Sequence, residues 1–197
     1  MNTRSRILVV AATAHELAVP DGWLTLQSGV GPVDAAAATA LAIAARAPSA
    51  VLHVGIAGAR RARALAPASV VIGSEARYCD LEVSPEWAPR VVAASPTLLD
   101  LTRRVLPTAT VLPIGTSARV GGTTDCDVEA MEGFAVLRAA QLAGIPAIEL
   151  RAISNEIEEA DRARWHFLPA FAAITAVTPI VVDAIARWLD ARAGDHA

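Results

Sequence analysis

The strongest constraint on this 197-residue chain is an alternation of short apolar runs with alanine-rich runs. "RILVVAA" (6–12), "WLTLQS" (23–28), "AVLHVGIAG" (50–58), "ASVVIGSEA" (68–76), "ATVLPIG" (109–115) and "PAIELRAIS" (146–154) read as strands. Between them lie helical stretches. One follows the glycine turn "GVGP" and is built mostly of alanine, with Pro32 near its start. A second covers 95–105, with Ser95-Pro96 as cap and first turn. A third falls within 128–144, where apolar positions recur at helical spacing, Gly144 closes the helix and Pro146 forbids its continuation. A fourth covers about 168–192, with a bend at Pro179. Strands alternating with helices predict an α/β sandwich.

Bulk properties narrow the function classes. Residues 1–197 read as a single domain with a sizeable core, since 54% of them are apolar. A net charge of −3 gives no basic footprint for nucleic acid, and the chain is too apolar to be disordered. Cys79 and Cys126 form neither a metal spacing nor a disulfide framework and suit a reduced cytoplasm. The N-terminal apolar run is short, ends at His15-Glu16 and reads as a buried strand rather than a signal peptide. The apolar stretch Phe167 to Val182 carries Pro169 and Pro179 and reads as too short to span a membrane. His15, His53, His166 and His196 have no metal-site spacing, and no metal or organic cofactor is expected.

Ligands in open α/β sheets bind at the carboxyl ends of strands. Four such ends carry glycines or polar groups: Ala11 to Glu16, Ser28 to Pro32, Gly55 to Gly58, and Ser154-Asn155. Glu16 could serve as a general acid or base if buried, but from its own stretch a solvated glutamate in a first helical turn is the simpler reading. Glu129 and Glu132 share a face if both are helical, and Met131 between them reads as core filler. Gly133, early in a helix, costs stability unless a ligand or backbone comes close. The glycine turns match neither a P-loop nor GxGxxG.

Taken in order, these pieces resemble the purine nucleosidase and nucleoside phosphorylase superfamily. "ILVVAATAHELA" looks like its first strand and glutamate, and "SGVGPVDAAAATA" like its SGxGxxxA turn and helix. "VGIAGA" resembles its glycine loop, "ASVVIGSEARYCDLEV" its EARYHD segment, "VEAMEG" its VEMEG and "RAISN" its RAISD. The resemblance spans about residues 6–175. It implies a three-layer α/β/α sandwich around a central mixed β-sheet, a nucleoside substrate, and a homo-oligomer completing the pocket across an interface. It also implies that Glu16 orients or deprotonates the attacking water, Glu132 grips the ribose hydroxyls, Met131 packs on the sugar and Asn155 meets the base. Ile56 and Gly58, in the glycine loop, fall to the substrate side.

Departures from the pattern carry information. "VEAMEG" has one residue more between its glutamates than VEMEG, so the role of Glu129 shifts while Met131-Glu132 keeps the family spacing. Pro20-Asp21-Gly22 stands in place of a helix and a strand. Ile56 replaces a small polar residue usual in adenine-specific members. Asn155 replaces an aspartic acid, and an amide NH₂ suits the two acceptors of a 6-oxopurine, N7 and O6. VE-x-MEG, RAISN and a following Arg-Trp segment together resemble the futalosine hydrolase branch, whose substrate carries a carboxyphenyl ketone at its 5′ end. Arg119, Arg77 and Arg164 are the candidate partners for that carboxylate. Asn155 and Ile56 disfavour a methylthioadenosine or adenosylhomocysteine nucleosidase. A 6-oxopurine phosphorylase would need clustered donors for phosphate, and neither "AATAHELA" nor "SGVGP" supplies an arginine. Glu16, Met131 and Glu132 count against a binding protein that has lost catalysis.

Overall fold

A computed structural model describes residues 3–122 and 125–194; His196 lies outside them. Among the described residues eight strands form one mixed sheet: β1 (Ile7–Ala11), β2 (Leu24–Gln27), β3 (Ala50–Ala59), β4 (Val70–Tyr78), β5 (Val91–Ala93), β6 (Thr110–Thr116), β7 (Val128–Ala130) and β8 (Ala147–Glu156). The helices are α1 (Pro32–Arg46), α2 (Pro96–Val105), α3 (Gly133–Leu142) and α4 (Phe167–Gly194). β1 lies parallel to β2 and β3, and β3 continues parallel to β8. β8 runs antiparallel to β4, β4 parallel to β6, and β6 parallel to β7. β7 then pairs back onto β3 at Gly58 and Ala59, which closes five strands into a ring. One apolar cluster draws Ala57, Val71, Ile114, Val128 and Ile153 from all five.

The period-2 alternation of a strand sets the layers. On β1, Ile7, Val9 and Ala11 pack with Leu98 of α2 and Ile174, Val181 and Ile185 of α4. Leu8 and Val10 face the other way, onto Ala35 and Ile43 of α1 and Val136 and Leu137 of α3. Every residue of β1 is buried, so its unbroken apolar run reflects helices on both faces. The expected α/β/α sandwich is the observed one. Each fully buried Val, Leu or Ile contributes about 1.5–3 kcal/mol. The Cys79 and Cys126 thiols are free.

The helix expected within 128–144 is α3, which begins only at Gly133; before it Val128–Ala130 is strand β7, wedged between β3 and β6. Glu129 and Glu132 therefore do not share a helix face. The signal that separates them is backbone pairing across the sheet, which leaves no local periodicity. α4, in turn, is a 28-residue helix, long and apolar enough by length and composition to cross a membrane. Pro169 falls in its first turn, where a missing N–H costs nothing, and Pro179 sits inside the continuous helix. Its Ala170, Ile174, Thr178, Val182 and Leu189 are buried.

Candidate active site

The carboxyl ends of β1, β3, β7 and β8 converge on a cavity of about 280 Å³. Glu16, Glu132, Glu129, Met131, Ile56, Gly58 and Asn155 all line it, so the structure brings seven of the ten sequence-derived site residues together and leaves Arg77, Arg119 and Arg164 off its wall. Arg119 is not on its wall; it stands exposed one residue before Val120, which is.

Glu16 is buried rather than solvated, at 4% exposure. Its Oε2 accepts hydrogen bonds from the Thr13 backbone N–H at 2.9 Å and the Thr13 hydroxyl at 2.8 Å. Its Oε1 accepts from the Ile56 N–H at 3.0 Å. The sequence signal was present: Thr13-x-x-Glu16 has the capping-box spacing, which folds a glutamate back onto its own turn. Ile56 thus contributes its backbone to Glu16 and its half-buried side chain to the cavity wall.

Glu132 sits at the N-cap of α3, 4% exposed. Its Oε1 accepts from the Gly31 N–H at 3.1 Å, and Gly31 holds a φ of +94° that side-chain-bearing residues rarely adopt. Its Oε2 meets Arg151 Nη2 at 3.4 Å. Glu129, also buried, accepts from the Gly121 N–H and ties the 117–122 segment to β7.

Beneath these acids lies a charged cluster that sequence reading missed. On β8, Glu149 and Arg151 are two residues apart and point to the same side of the strand. Both are essentially fully buried and paired, Arg151 Nε to Glu149 Oε1 at 2.8 Å. Arg151 Nη1 donates to the Ile56 carbonyl at 3.3 Å, and Nη2 donates to His53 Nε2. His53 Nδ1 bonds the Val10 carbonyl at 3.0 Å, which only accepts, so the proton sits on Nδ1 and Nε2 offers its lone pair to Arg151. Burial, and then the Arg151 charge, holds the His53 pKa well below its ordinary value and keeps the ring neutral. Burial pushes the Glu149 carboxyl up, with Glu132 adding to the push and Arg151 opposing it. Burial also works against the Arg151 charge, but the Glu149, Glu132 and Glu16 carboxylates outweigh it and raise its pKa. The signal for this cluster was the pair of charges inside an otherwise apolar strand: buried charges persist only when paired.

Two glycines make room for it. A Cβ at Gly55 would collide with the Arg151 guanidinium, and a Cβ at Gly133 would collide with the Glu149 carboxylate. The close approach that an early-helix glycine demands at position 133 is therefore a buried side chain. Glu149 Oε2 has no hydrogen-bond partner among the described residues.

Asn155 is 7% exposed, at the end of β8. Its Oδ1 accepts from the Ser154 hydroxyl at 2.8 Å and its Nδ2 donates to the Glu156 carbonyl at 2.9 Å. The reversed amide would set Oδ1 against that carbonyl, so the network fixes its orientation. One N–H is thereby committed, and the amide offers the cavity one N–H instead of the two expected from sequence. A Cβ at Gly58 would press on this amide at 3.0 Å.

The mouth of the cavity is aromatic. Trp165, Phe167 and Phe171 line it with Arg162; of the four, sequence marked only Trp165, as the Trp of the Arg-Trp segment, and gave none of them a role in the site. They come from the β8–α4 connection and the first turns of α4, where no regular pattern marks them. Among the described residues, no group of three His, Cys, Asp or Glu side chains is arranged to hold a metal ion.

Comparison with known proteins identifies the family. The sequence model of the phosphorylase superfamily matches residues 23–191. Futalosine hydrolase of Streptomyces coelicolor is 35% identical, over 89% of this chain and 84% of that protein. Among solved structures, S-adenosylhomocysteine nucleosidase of Streptococcus pyogenes, in complex with 5-methylthiotubericidin, superposes with a TM-score of 0.76 at 21% identity, covering 92% of this chain and 96% of that one. Futalosine hydrolase of Helicobacter pylori superposes with a TM-score of 0.74 at 16% identity, covering 93% and 97%. At those identities the two structures speak for the fold, while the family model and the Streptomyces relative speak for descent. The chain belongs to the phosphorylase superfamily and, within it, to the futalosine hydrolase family.

Proposed function

We propose that the protein is an N-glycosyl hydrolase that cleaves the ribosyl C–N bond of futalosine, releasing hypoxanthine and dehypoxanthine futalosine, in menaquinone biosynthesis. The observation that carries this reading is the convergence in one cavity of two buried carboxylates, Glu16 and Glu132, with one buried amide, Asn155. The 35% identity to a futalosine hydrolase supports it.

Each residue has a chemical part. Water adds to the anomeric carbon as the C–N bond breaks, and its proton passes to Glu16, whose carboxylate three donors hold in place. Glu132 accepts from the ribose 2′- and 3′-hydroxyls and stabilises the oxocarbenium charge that builds on the sugar. Met131, half-buried beside it, packs against the ring. Electrons leaving with the base spread over the hypoxanthine, where the free N–H of Asn155 meets the N7 and O6 edge; the base takes up a proton from solvent as Glu16 gives one back, which closes the balance. Glu129, Ile56 and Gly58 shape the wall. Hydrolysis is favoured over phosphorolysis because the buried cation at the sugar end, Arg151, already serves Glu149 and Glu132. The 1–197 chain acts as one domain, with no metal or organic cofactor. It works in the cytoplasm, off the membrane, as a homo-oligomer.

The test is to incubate the purified protein with futalosine, methylthioadenosine and inosine, each with and without phosphate, and to identify the released base. Hypoxanthine from futalosine, independent of phosphate, is expected. Adenine from methylthioadenosine as the dominant product would overturn the reading, and a requirement for phosphate would convert it to a phosphorylase.

A further inference from the structure

We infer that Arg162 is a specificity-determining residue that binds an aromatic acid carried by the nucleoside, with Trp165, Phe167 and Phe171 as the wall on which its ring lies. This rests on the cavity being a nucleoside site.

Three observations point there. The first is where the aromatic side chains are. The whole chain has only four Trp, one Tyr and three Phe. Even so, Trp165 and Phe167 (centroids 5.4 Å apart), Phe167 and Phe171 (6.1 Å), and Phe171 and His15 (5.6 Å) form a continuous row of rings. Aliphatic residues would cover a plain sugar equally well. A row of rings along the cavity wall suits a flat, conjugated substituent.

The second is the state of the arginines. In the segments that follow β3 and β8 acids and cations are matched off: Arg60 with Glu158, Arg61 with Glu156, and Arg164 with both Glu159 and Asp161. Arg77 is held by Glu75, away from the cavity. Within the cavity Arg151 is consumed by Glu149 and Glu132. Arg162 is the cavity-lining arginine with no ion pair among the described residues.

The third is how Arg162 is presented. Its guanidinium lies over the Trp165 ring, 5.5 Å from the centroid. Trp165 is anchored in turn by its indole N–H, which donates to the Glu159 carbonyl at 3.0 Å. A contact with a ring face uses none of the guanidinium's N–H donors as hydrogen-bond partners to an anion, so the fork that grips a carboxylate in two places stays available. The short turn that carries it, Arg162–Arg164, is capped by Asp161, whose Oδ1 accepts from the Ala163 N–H at 3.0 Å. The acids of this segment are thus engaged elsewhere and do not compete for Arg162. A ring on the Phe167–Phe171 faces with its acid group toward Arg162 satisfies all three observations. The ligand class is a nucleoside bearing an aryl carboxylate.

The experiment compares futalosine with its methyl ester, which keeps the ring and removes the charge. In the wild type the acid is preferred. Arg162→Gln should lower the acid-to-ester ratio of kcat/KM by roughly 10- to 100-fold, mostly through KM. Arg162→Lys should restore part of it, and Arg164→Gln should leave the ratio as it is. Equal losses on acid and ester, or the same loss in Arg164→Gln, would overturn the inference. A separate readout needs no turnover: calorimetric binding of 4-acetylbenzoate, with 4-acetylbenzamide as the uncharged control. Wild type should bind the acid more tightly than the amide, and Arg162→Gln should not. If wild type binds the acid but releases no base from any 6-oxopurine nucleoside, the nucleosidase reading fails while the aryl-acid subsite stands. If futalosine is hydrolysed and Arg162→Gln changes neither the ratio nor the fragment binding, the subsite alone fails.

Discussion

The two ends of the cavity are made of different material. At the inner end Glu16, Glu132, Glu149, Arg151 and His53 are all at most 4% exposed, and they stand on strands or at their carboxyl ends. Hydrogen bonds among the last four, and from Thr13, Gly31, Ile56 and Val10 around them, hold their polar atoms, with Glu149 Oε2 the exception. At the mouth Arg162 is exposed and Trp165 and Phe167 are half-buried; the first two sit on the connection between β8 and α4, and Phe167 opens α4. Charges in water are screened and cheap to rearrange; charges in a dry interior act strongly and must be placed once. The inner end is therefore suited to handling charge as a bond breaks. The mouth is suited to telling one substrate from another.

The largest expected effect tests the inner end. Glu16→Gln keeps the shape of the side chain and most of its hydrogen-bonding positions but cannot take a proton. It should lower kcat by about 10²–10⁴-fold while ligand binding changes little, since general base catalysis contributes on that scale. Single-turnover hydrolysis together with product binding checks it. Turnover that survives would remove Glu16 from the water-handling role.

A second effect, on stability, separates a packed interior from an open one. Gly133→Ala in an ordinary helix would stabilise by up to about 1 kcal/mol. Here the new methyl would collide with the Glu149 carboxylate, which Arg151 pins and burial confines. The sign should reverse, to a loss of about 1–3 kcal/mol, the range for forcing an extra group into a packed core. Urea unfolding measures it. The same substitution made in a Glu149→Ala background should lose its penalty, because the atoms it meets are gone. Equal penalties in both backgrounds would mean the glycine is kept for backbone reasons.

These two residues also show what could be read from the chain. The fold was legible where the signal is local: β1 and β3 as apolar runs bounded by glycine and polar turns, α1 as an alanine run begun by a proline, α2 as a Ser-Pro start. Six of eight strands fall within a residue or two of the expected runs. β5 and β7 were not legible, because three residues carry no periodicity and pairing with distant strands defines them. Within the site, Glu132 and Asn155 were recognisable from short motifs, and Glu16 was ambiguous until Ile56, forty residues away, was seen to donate to it. Glu149, Arg151 and His53 needed the tertiary structure to show that their charges and lone pairs match. Arg162 carries no pattern at all, and Trp165 only that of the Arg-Trp segment, which gave it no role, as befits side chains on an irregular connection.

Asn155→Asp lies between the two regions in expected size. A carboxylate there would face the Glu156 carbonyl without a hydrogen to share, and it would need a proton to donate to a base. Hydrolysis of 6-oxopurine nucleosides should fall roughly 10- to 100-fold in kcat/KM, the cost of leaving a buried polar edge unpaired. Preference should move toward adenine nucleosides, whose 6-amino group donates to such a carboxylate. Competition between inosine and adenosine gives the ratio directly, and an unchanged ratio would place base selection elsewhere.

The smallest effect belongs to Arg119, which sequence pattern offered as a carboxylate partner. It is exposed, and its own backbone N–H is tied to the Ser117 hydroxyl at 3.2 Å rather than turned to the cavity. Its neighbour Val120 reaches the wall in its place. A single exposed arginine contributes about 0–1 kcal/mol to any ion pair it makes, so Arg119→Gln should change kcat/KM for futalosine by less than about fivefold. Arg162 differs from it in one respect that matters: an aromatic platform holds its guanidinium at the cavity, so less freedom is lost when an anion arrives. Measured on the same acid and ester pair, Arg119→Gln should leave the ratio intact where Arg162→Gln lowers it. A drop at Arg119 as large as that at Arg162 would mean that the 117–122 segment closes over the substrate and that the mouth of the cavity has two charged walls.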